Sequence, residues 1–143
     1  MLGLDDLTVG QVIDFGEWQL TEEAVTAFAR EWDPQPFHLD RAAAEQLGLP
    51  GISASSLHIF AVCTRLFADF EPGFKVLAMV GKEELRLLRP ALATDLLRYR
   101  SEVTSITPSR SKPDRGIVRL SDTVSNSQGD SVMTQHVDLM LRR

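Results

Sequence analysis

The chain has 143 residues, 43% of them hydrophobic, and a formal net charge of -5, which suits one ordinary globular domain with its own core. The acidic balance argues against a general nucleic-acid binder, which carries a basic patch or stripe, and the single cysteine, Cys63, excludes an internal disulfide and any multi-cysteine metal site. The opening MLGLDDLTVGQ has acids where a secretion signal has basic residues, and no stretch is long and apolar enough to span a bilayer, so a cytoplasmic protein is expected.

QVIDFGEWQL, residues 11–20, mixes Val12, Ile13, Phe15, Trp18 and Leu20 with polar neighbours and suits a short strand. Thr21 then heads TEEAVTAFAREW as an N-cap, with Glu22 and Glu23 complementing the positive end of the helix dipole. Ala24, Phe28 and Trp32 recur at four-residue spacing as one apolar stripe, and Pro34 stops the helix. Asp40 caps a second short helix, RAAAEQLG. The segment SASSLHIFAVCTRLFADF is apolar nearly all round, the pattern of a helix buried in a core, and Cys63 within it reads as a buried structural thiol. Beyond Pro72-Gly73 the period changes. KVLAMVGKEELRLLRP, LLRYRSEVTSI, GIVRLSDTVSN and SVMTQHVDLMLRR read as four strands. In the last, Met133, Val137, Leu139 and Leu141 share one face, and Thr134, His136 and Asp138 the other. Residues 126–130, NSQGD, form a turn, and TPSRSKPDRG an exposed hairpin loop.

One strand, small helices, one buried helix and then four strands in series imply an α+β domain. A hotdog architecture, an antiparallel sheet wrapped around a long central helix, accommodates this order in a single domain over residues 1–143 and would bury that helix on every side.

The stretch DPQPFHLD, Asp33 to Asp40, stands apart from a plain connector. It holds Asp33 and His38 five residues apart on a backbone stiffened by Pro34 and Pro36. The run FAREWDPQPFHLDRAAAEQLGLPGISASS resembles the signature of MaoC-like dehydratases and R-specific enoyl-CoA hydratases. Asp33, Pro36, His38 and Asp40 fall on its positions, with Phe28 and Ala29 where that family has an aromatic-Ala pair. Farther on, ELRLLRPALATDLL is similar to the family's second motif, with Glu84, Arg86, Pro90, Asp95 and Leu97 in register. Three positions depart from the hydratase pattern: Gln35 replaces Asn, Ser55-Ser56 replaces His-Gly, and His58 is additional. A branch of MaoC-like proteins reading D-P-Q-P-F-H-L-D and then A-S-G-W-H resembles the chain more closely, through Ala54, Ser55 and His58. Ser56 and Leu57 still differ from it.

The resemblance implies reversible hydration of an enoyl-CoA or related acyl thioester without a cofactor. Asp33 and His38 would be the catalytic pair, since a carboxylate and a neutral imidazole together hold a water and pass its protons. The Ser56 N–H, at the start of the central helix, would hold the thioester oxygen. Ser55, Ser56 and His58 are the expected substrate-binding residues. Ser55 also suits the N-cap of the central helix, and His58 equally suits a packed helical histidine. Asp40 reads as a helix cap and His136 as a structural or exposed residue. Asp33 and His38 lack a third ligand, so no metal site is expected. The partners implied are an acyl-CoA or other acyl thioester and a second copy, as a homodimer or dimer of dimers with the ligand at the interface. Arg98, Arg100, Arg110, Lys112 and Arg115 could meet the phosphates of coenzyme A, and Phe60 or Phe67 could limit the acyl chain. Two alternatives stay open: a hotdog thioesterase, for which the central helix offers only Asp69 at its far end, and a non-catalytic acyl-CoA binder.

Overall fold

The computed structural model describes residues 1–143. Thr21 accepts a hydrogen bond from the Ala24 N–H and starts α1, Glu22–Trp32. Pro34 ends it, but the chain does not then run on as a loop. Pro36 takes the first position of a single helical turn, α2, Pro36–Leu39, where its missing N–H costs nothing. Asp40 accepts from the Ala43 N–H and caps α3, Arg41–Gln46. Ser55 accepts from the Leu57 N–H and caps α4, Ser56–Asp69. The strands are β1 (Val12–Gln19), β2 (Val76–Leu87), β3 (Leu96–Pro108), β4 (Arg115–Ser125) and β5 (Ser131–Arg142). They form one antiparallel sheet in the order β1-β3-β4-β5-β2, the hotdog arrangement that the element order implied. The long hairpin is tighter than expected, because β3 and β4 extend into TPSRSKPDRG and pair as far as Pro108 and Gly116.

The core lies between the sheet and α4. Val118, Leu120 and Val124 of β4 and Met133, Val137, Leu139 and Leu141 of β5 face inward at every second residue, as a half-buried strand requires. Against them α4 places Ile59, Val62, Cys63 and Leu66. Phe15 joins the layers, stacked on Tyr99 at a centroid distance of 4.6 Å and in contact with Phe67, Phe70 and Phe74. One expectation is corrected here. The sheet covers one flank of α4 and not every side; Leu57, Ala61, Thr64 and Ala68 are exposed within the single chain.

The sheet's two edges differ. At β1 the edge is bent by a bulge between Asp14 and Gly16, and Asp14 binds both Arg98 and Arg100 across to β3. At β2 the edge is apolar and open, with Met79, Val80, Leu85 and Leu87 about half exposed. A short 3-10 turn, Leu4–Asp6, closes the far end by dropping Leu4 onto β4. A Cβ at Gly116 would stand 2.5 Å from the Leu4 side chain and 2.6 Å from the Thr107 carbonyl oxygen, so only glycine lets this turn and the β3–β4 hairpin close together. Gly116→Ala is expected to lower stability by about 2 kcal/mol, read as a shift in denaturant midpoint at unchanged slope.

Candidate functional site

The site begins with an acid in an unfavourable place. Asp33 is the C-cap of α1, its N–H bonded to the Ala29 carbonyl, at the helix end where the dipole disfavours negative charge. Its side chain is a quarter exposed and turns back toward the start of α4. There the Ser55 hydroxyl, fully buried, donates to Asp33 Oδ2 at 2.6 Å. The same Ser55 oxygen accepts the Leu57 N–H at 3.2 Å. One hydroxyl thus ties the carboxylate to the helix that follows.

His38 arrives on α2, whose single turn rotates it toward the same point. Its ring is buried, and Nδ1 lies 2.6 Å from the Ser53 carbonyl oxygen. A carbonyl only accepts, so Nδ1 carries the proton and Nε2 holds the lone pair in the neutral ring. Nε2 is 3.4 Å from Asp33 Oδ2. The Ser53 carbonyl is aimed by a short backbone pairing on either side of it: the Ala54 N–H donates to the Ala91 carbonyl and the Ala93 N–H to the Ile52 carbonyl, both at 2.8 Å. Asp95 in turn accepts the Leu92 N–H at 2.8 Å and fixes the turn that presents residues 91–93.

Asp33, His38 and Ser56 open onto one cavity of about 490 Å³, within the range of small-molecule sites. Its apolar walls come from Phe37, Ile59, Leu87 and Leu88. The Ser56 N–H makes no hydrogen bond within the chain, as expected for the first residue of a helix. An acceptor placed in the cavity meets this free donor at the positive end of the α4 dipole.

Residues 6–126 match the MaoC like domain family. The chain belongs to that family. A MaoC-like dehydratase from Rhodospirillum rubrum is 35% identical and superposes with a TM-score of 0.91 over 100% of this chain and 98% of its own. The R-hydratase PhaJ1 from Pseudomonas aeruginosa, in its unliganded form, is 26% identical with a TM-score of 0.81, covering 99% of this chain and 86% of the other. The Bacillus subtilis (strain 168) protein YdeM, described as uncharacterized, is 26% identical over 98% of this chain and 99% of its own.

The structure of this MaoC-like domain brings four of the five expected site residues together: Asp33, His38, Ser55 and Ser56. Ser55 does not reach the cavity; it stands behind Asp33. His58 points elsewhere, stacked on Phe28 of α1 at 4.6 Å between ring centroids with Nδ1 unpaired. Arg98 and Arg100 are bound to Asp14, and Arg115 to Asp114, and none of the three lines the cavity. The cation that does is Arg89, held by Asp130 at 2.8 Å. Asp40 caps α3 as expected. Sequence reasoning did not find the Ser53 carbonyl, since a backbone acceptor carries no residue signature.

Replacing Ser55 by Ala removes both the cap and the bond to Asp33, with an expected loss of about 1–2 kcal/mol. Ser55→Thr should recover most of it in the same urea titration. Burial holds the His58 ring below its ordinary value of 6.5. The unfolded chain takes up that proton while the native fold resists it, so stability falls as pH drops below about 6.5. His58→Leu is expected to flatten this part of the profile of melting temperature between pH 7.5 and 5.5.

Proposed function

We propose that the protein catalyses reversible hydration of an enoyl-CoA or related acyl thioester at the Asp33–His38 pair. The observation that carries this reading is the convergence on one cavity of three groups with separate tasks. These are a carboxylate, an imidazole whose tautomer leaves Nε2 free, and an unbonded N–H at a helix start.

A water held between Asp33 and His38 Nε2 loses a proton to the pair as its oxygen bonds to the β-carbon. The double-bond electrons move onto the thioester oxygen, which the Ser56 N–H stabilises as charge develops there. When they return, the α-carbon takes a proton from the pair and the hydroxyacyl thioester is complete. Each atom of the water ends in the product, and neither oxidant nor reductant is required. Because Nδ1–H is bound to the Ser53 carbonyl, the ring does not rotate as Nε2 gains and loses its proton. The acid available to a thioesterase on α4, Asp69, is exposed and bound to Arg65 at 2.6 Å, at the opposite end from the cavity.

A second copy of the chain belongs to the proposal. The open β2 edge, with Leu87 and Leu88 at its end, forms one wall of the cavity, so a partner docked along β2 would close the site. On this reading Arg89, the cation that lines the cavity and is paired with Asp130, takes the phosphates of coenzyme A.

The test is loss of enoyl absorbance when purified protein meets crotonyl-CoA and longer enoyl-CoA thioesters. Asp33→Asn and His38→Ala are each expected to lower kcat by roughly a hundredfold or more. Ser56→Pro isolates the N–H. Proline is welcome at the first helical position, and Ser55 already has the extended ψ of 144° that a following proline needs. The fold should therefore persist while kcat falls roughly a hundred- to a thousandfold. Full activity in Ser56→Pro would remove the N–H from the mechanism, and full activity in His38→Ala would remove the hydratase reading.

A further inference from the structure

Asp95 is a buried acid, 6% exposed, that does not line the cavity. What it touches is the backbone of Leu92, which stands opposite Ser53 in an isolated antiparallel bridge. The two bonds of that bridge flank the pair, from the Ala54 N–H to the Ala91 carbonyl and from the Ala93 N–H to the Ile52 carbonyl. Ser53 and Leu92 are therefore a non-hydrogen-bonded pair, and their own N–H and C=O groups point outward from the bridge. On one side the Ser53 carbonyl takes His38 Nδ1 at 2.6 Å. On the other, a single residue takes both groups of Leu92. Asp95 Oδ2 accepts the Leu92 N–H at 2.8 Å, and the Asp95 N–H donates to the Leu92 carbonyl at 2.9 Å.

Asp95 is itself held from two other elements. Its carbonyl accepts the N–H of Leu20, the residue after β1, at 2.9 Å. Its Oδ1 lies 3.4 Å from the Ser127 hydroxyl of the β4–β5 turn, and that hydroxyl accepts the Leu96 N–H at 2.8 Å. The bridge is thus anchored through Asp95 to the end of β1 and to the β4–β5 turn.

His38 has an acceptor on each side of its ring, the Ser53 carbonyl 2.6 Å from Nδ1 and Asp33 Oδ2 3.4 Å from Nε2. A neutral imidazole carries one proton and can satisfy only one of them. With the proton on Nδ1, Nε2 is a base. With the proton on Nε2, the ring donates to Asp33 and cannot accept a proton from water. The position of the Ser53 carbonyl makes that choice.

We infer that Asp95 is a positioning residue for His38: by holding Leu92 it keeps the Ser53 carbonyl on Nδ1 and leaves Nε2 unprotonated beside Asp33. This inference rests on the hydratase reading for its effect on turnover, while its effect on the tautomer stands apart from any activity. Without the Asp95 carboxylate the Leu92 N–H loses its acceptor, the turn at residues 92–95 loosens, and the competing tautomer opens to the ring. The Asp95 backbone keeps its bonds to Leu20 and Leu92, so the fold should survive the loss.

The experiment reads the ring nitrogens of isotope-labelled histidine by NMR near pH 8 in wild type, Asp95→Ala and Asp95→Asn. The chain has three histidines, and the signals of His58 and His136 report whether each variant is folded. Wild-type His38 should show the proton on Nδ1 alone. Asp95→Ala should move its signals toward the other tautomer with His58 and His136 unchanged, and Asp95→Asn, which keeps an acceptor for the Leu92 N–H, should restore the wild-type pattern. With crotonyl-CoA, Asp95→Ala should lower kcat by about tenfold or more with KM within about twofold of wild type. If Asp95→Ala does not fold, Leu92→Pro breaks the same bond from the donor side and must shift the His38 signals likewise. A wild-type ring protonated on Nε2, or unchanged His38 signals in the folded variant, overturns the inference. So does a shifted tautomer with undiminished kcat. Where the wild type turns over no enoyl thioester, the hydratase reading fails and the NMR comparison alone decides the role of Asp95.

Discussion

The pairing of residues 52–54 with residues 91–93 is the contact on which the candidate site depends. Two backbone hydrogen bonds, Ala54 to Ala91 and Ala93 to Ile52, hold a strap that would otherwise be an ordinary connection. The carbonyl of Ser53, between those bonds, grips His38 and sets its tautomer. The next residue but one, Ser55, caps α4 and binds Asp33. Imidazole, carboxylate and helix start are thus all referred to one short piece of backbone, and Asp95 secures its partner segment from behind. Backbone is a suitable anchor, since its position is fixed by this isolated antiparallel bridge and not by a rotamer.

The approach of Asp33 to that anchor also accounts for the use of two prolines. Pro34 ends α1 one residue past the acid, and Pro36 starts α2 two residues before the histidine. The five-residue spacing therefore consists of a helix end, an extended step and one helical turn. A flexible linker of the same length would reach the same points but would lose more conformational entropy in doing so.

The inner face of the sheet obeys two demands at once. Most of it is hydrocarbon packed on α4, and the energy of burying Val118, Leu120, Val124 and Leu139 holds the layers together. Asp122 and Gln135 interrupt that surface with a network in which the carboxylate has three donors and one amide oxygen has none. Burial holds the Asp122 carboxyl above the ordinary carboxylate range, opposed by its bonds to Ser101, Gln135 and Tyr99. Such a cluster weakens a core unless a function uses it.

The order of elements was legible in the sequence because each one announces itself locally. Thr21, Asp40 and Ser55 are caps, Pro34 is a stop, and the period of the apolar residues changes from helix to strand after Gly73. The pairing of Asp33 with His38 was legible too, through spacing and the resemblance it carries. The inward acid at Asp122 was available in principle, as the one charge in an alternating apolar row, and the helical turn at Pro36–Leu39 was hidden because four residues are too few to show a period. What only the tertiary structure decided are relations across the fold. It turned Ser55 from a wall of the site into the support of Asp33, and sent His58 to Phe28. It neutralised Arg98 and Arg100 on Asp14 and left the β2 edge bare. Caps, stops and periodicity depend on neighbours within a turn or two of chain and can be read in one dimension. A carbonyl 15 residues from the ring it binds, or an acid bonded to a glutamine 13 residues away on the next strand, becomes a contact only once the sheet has set its register.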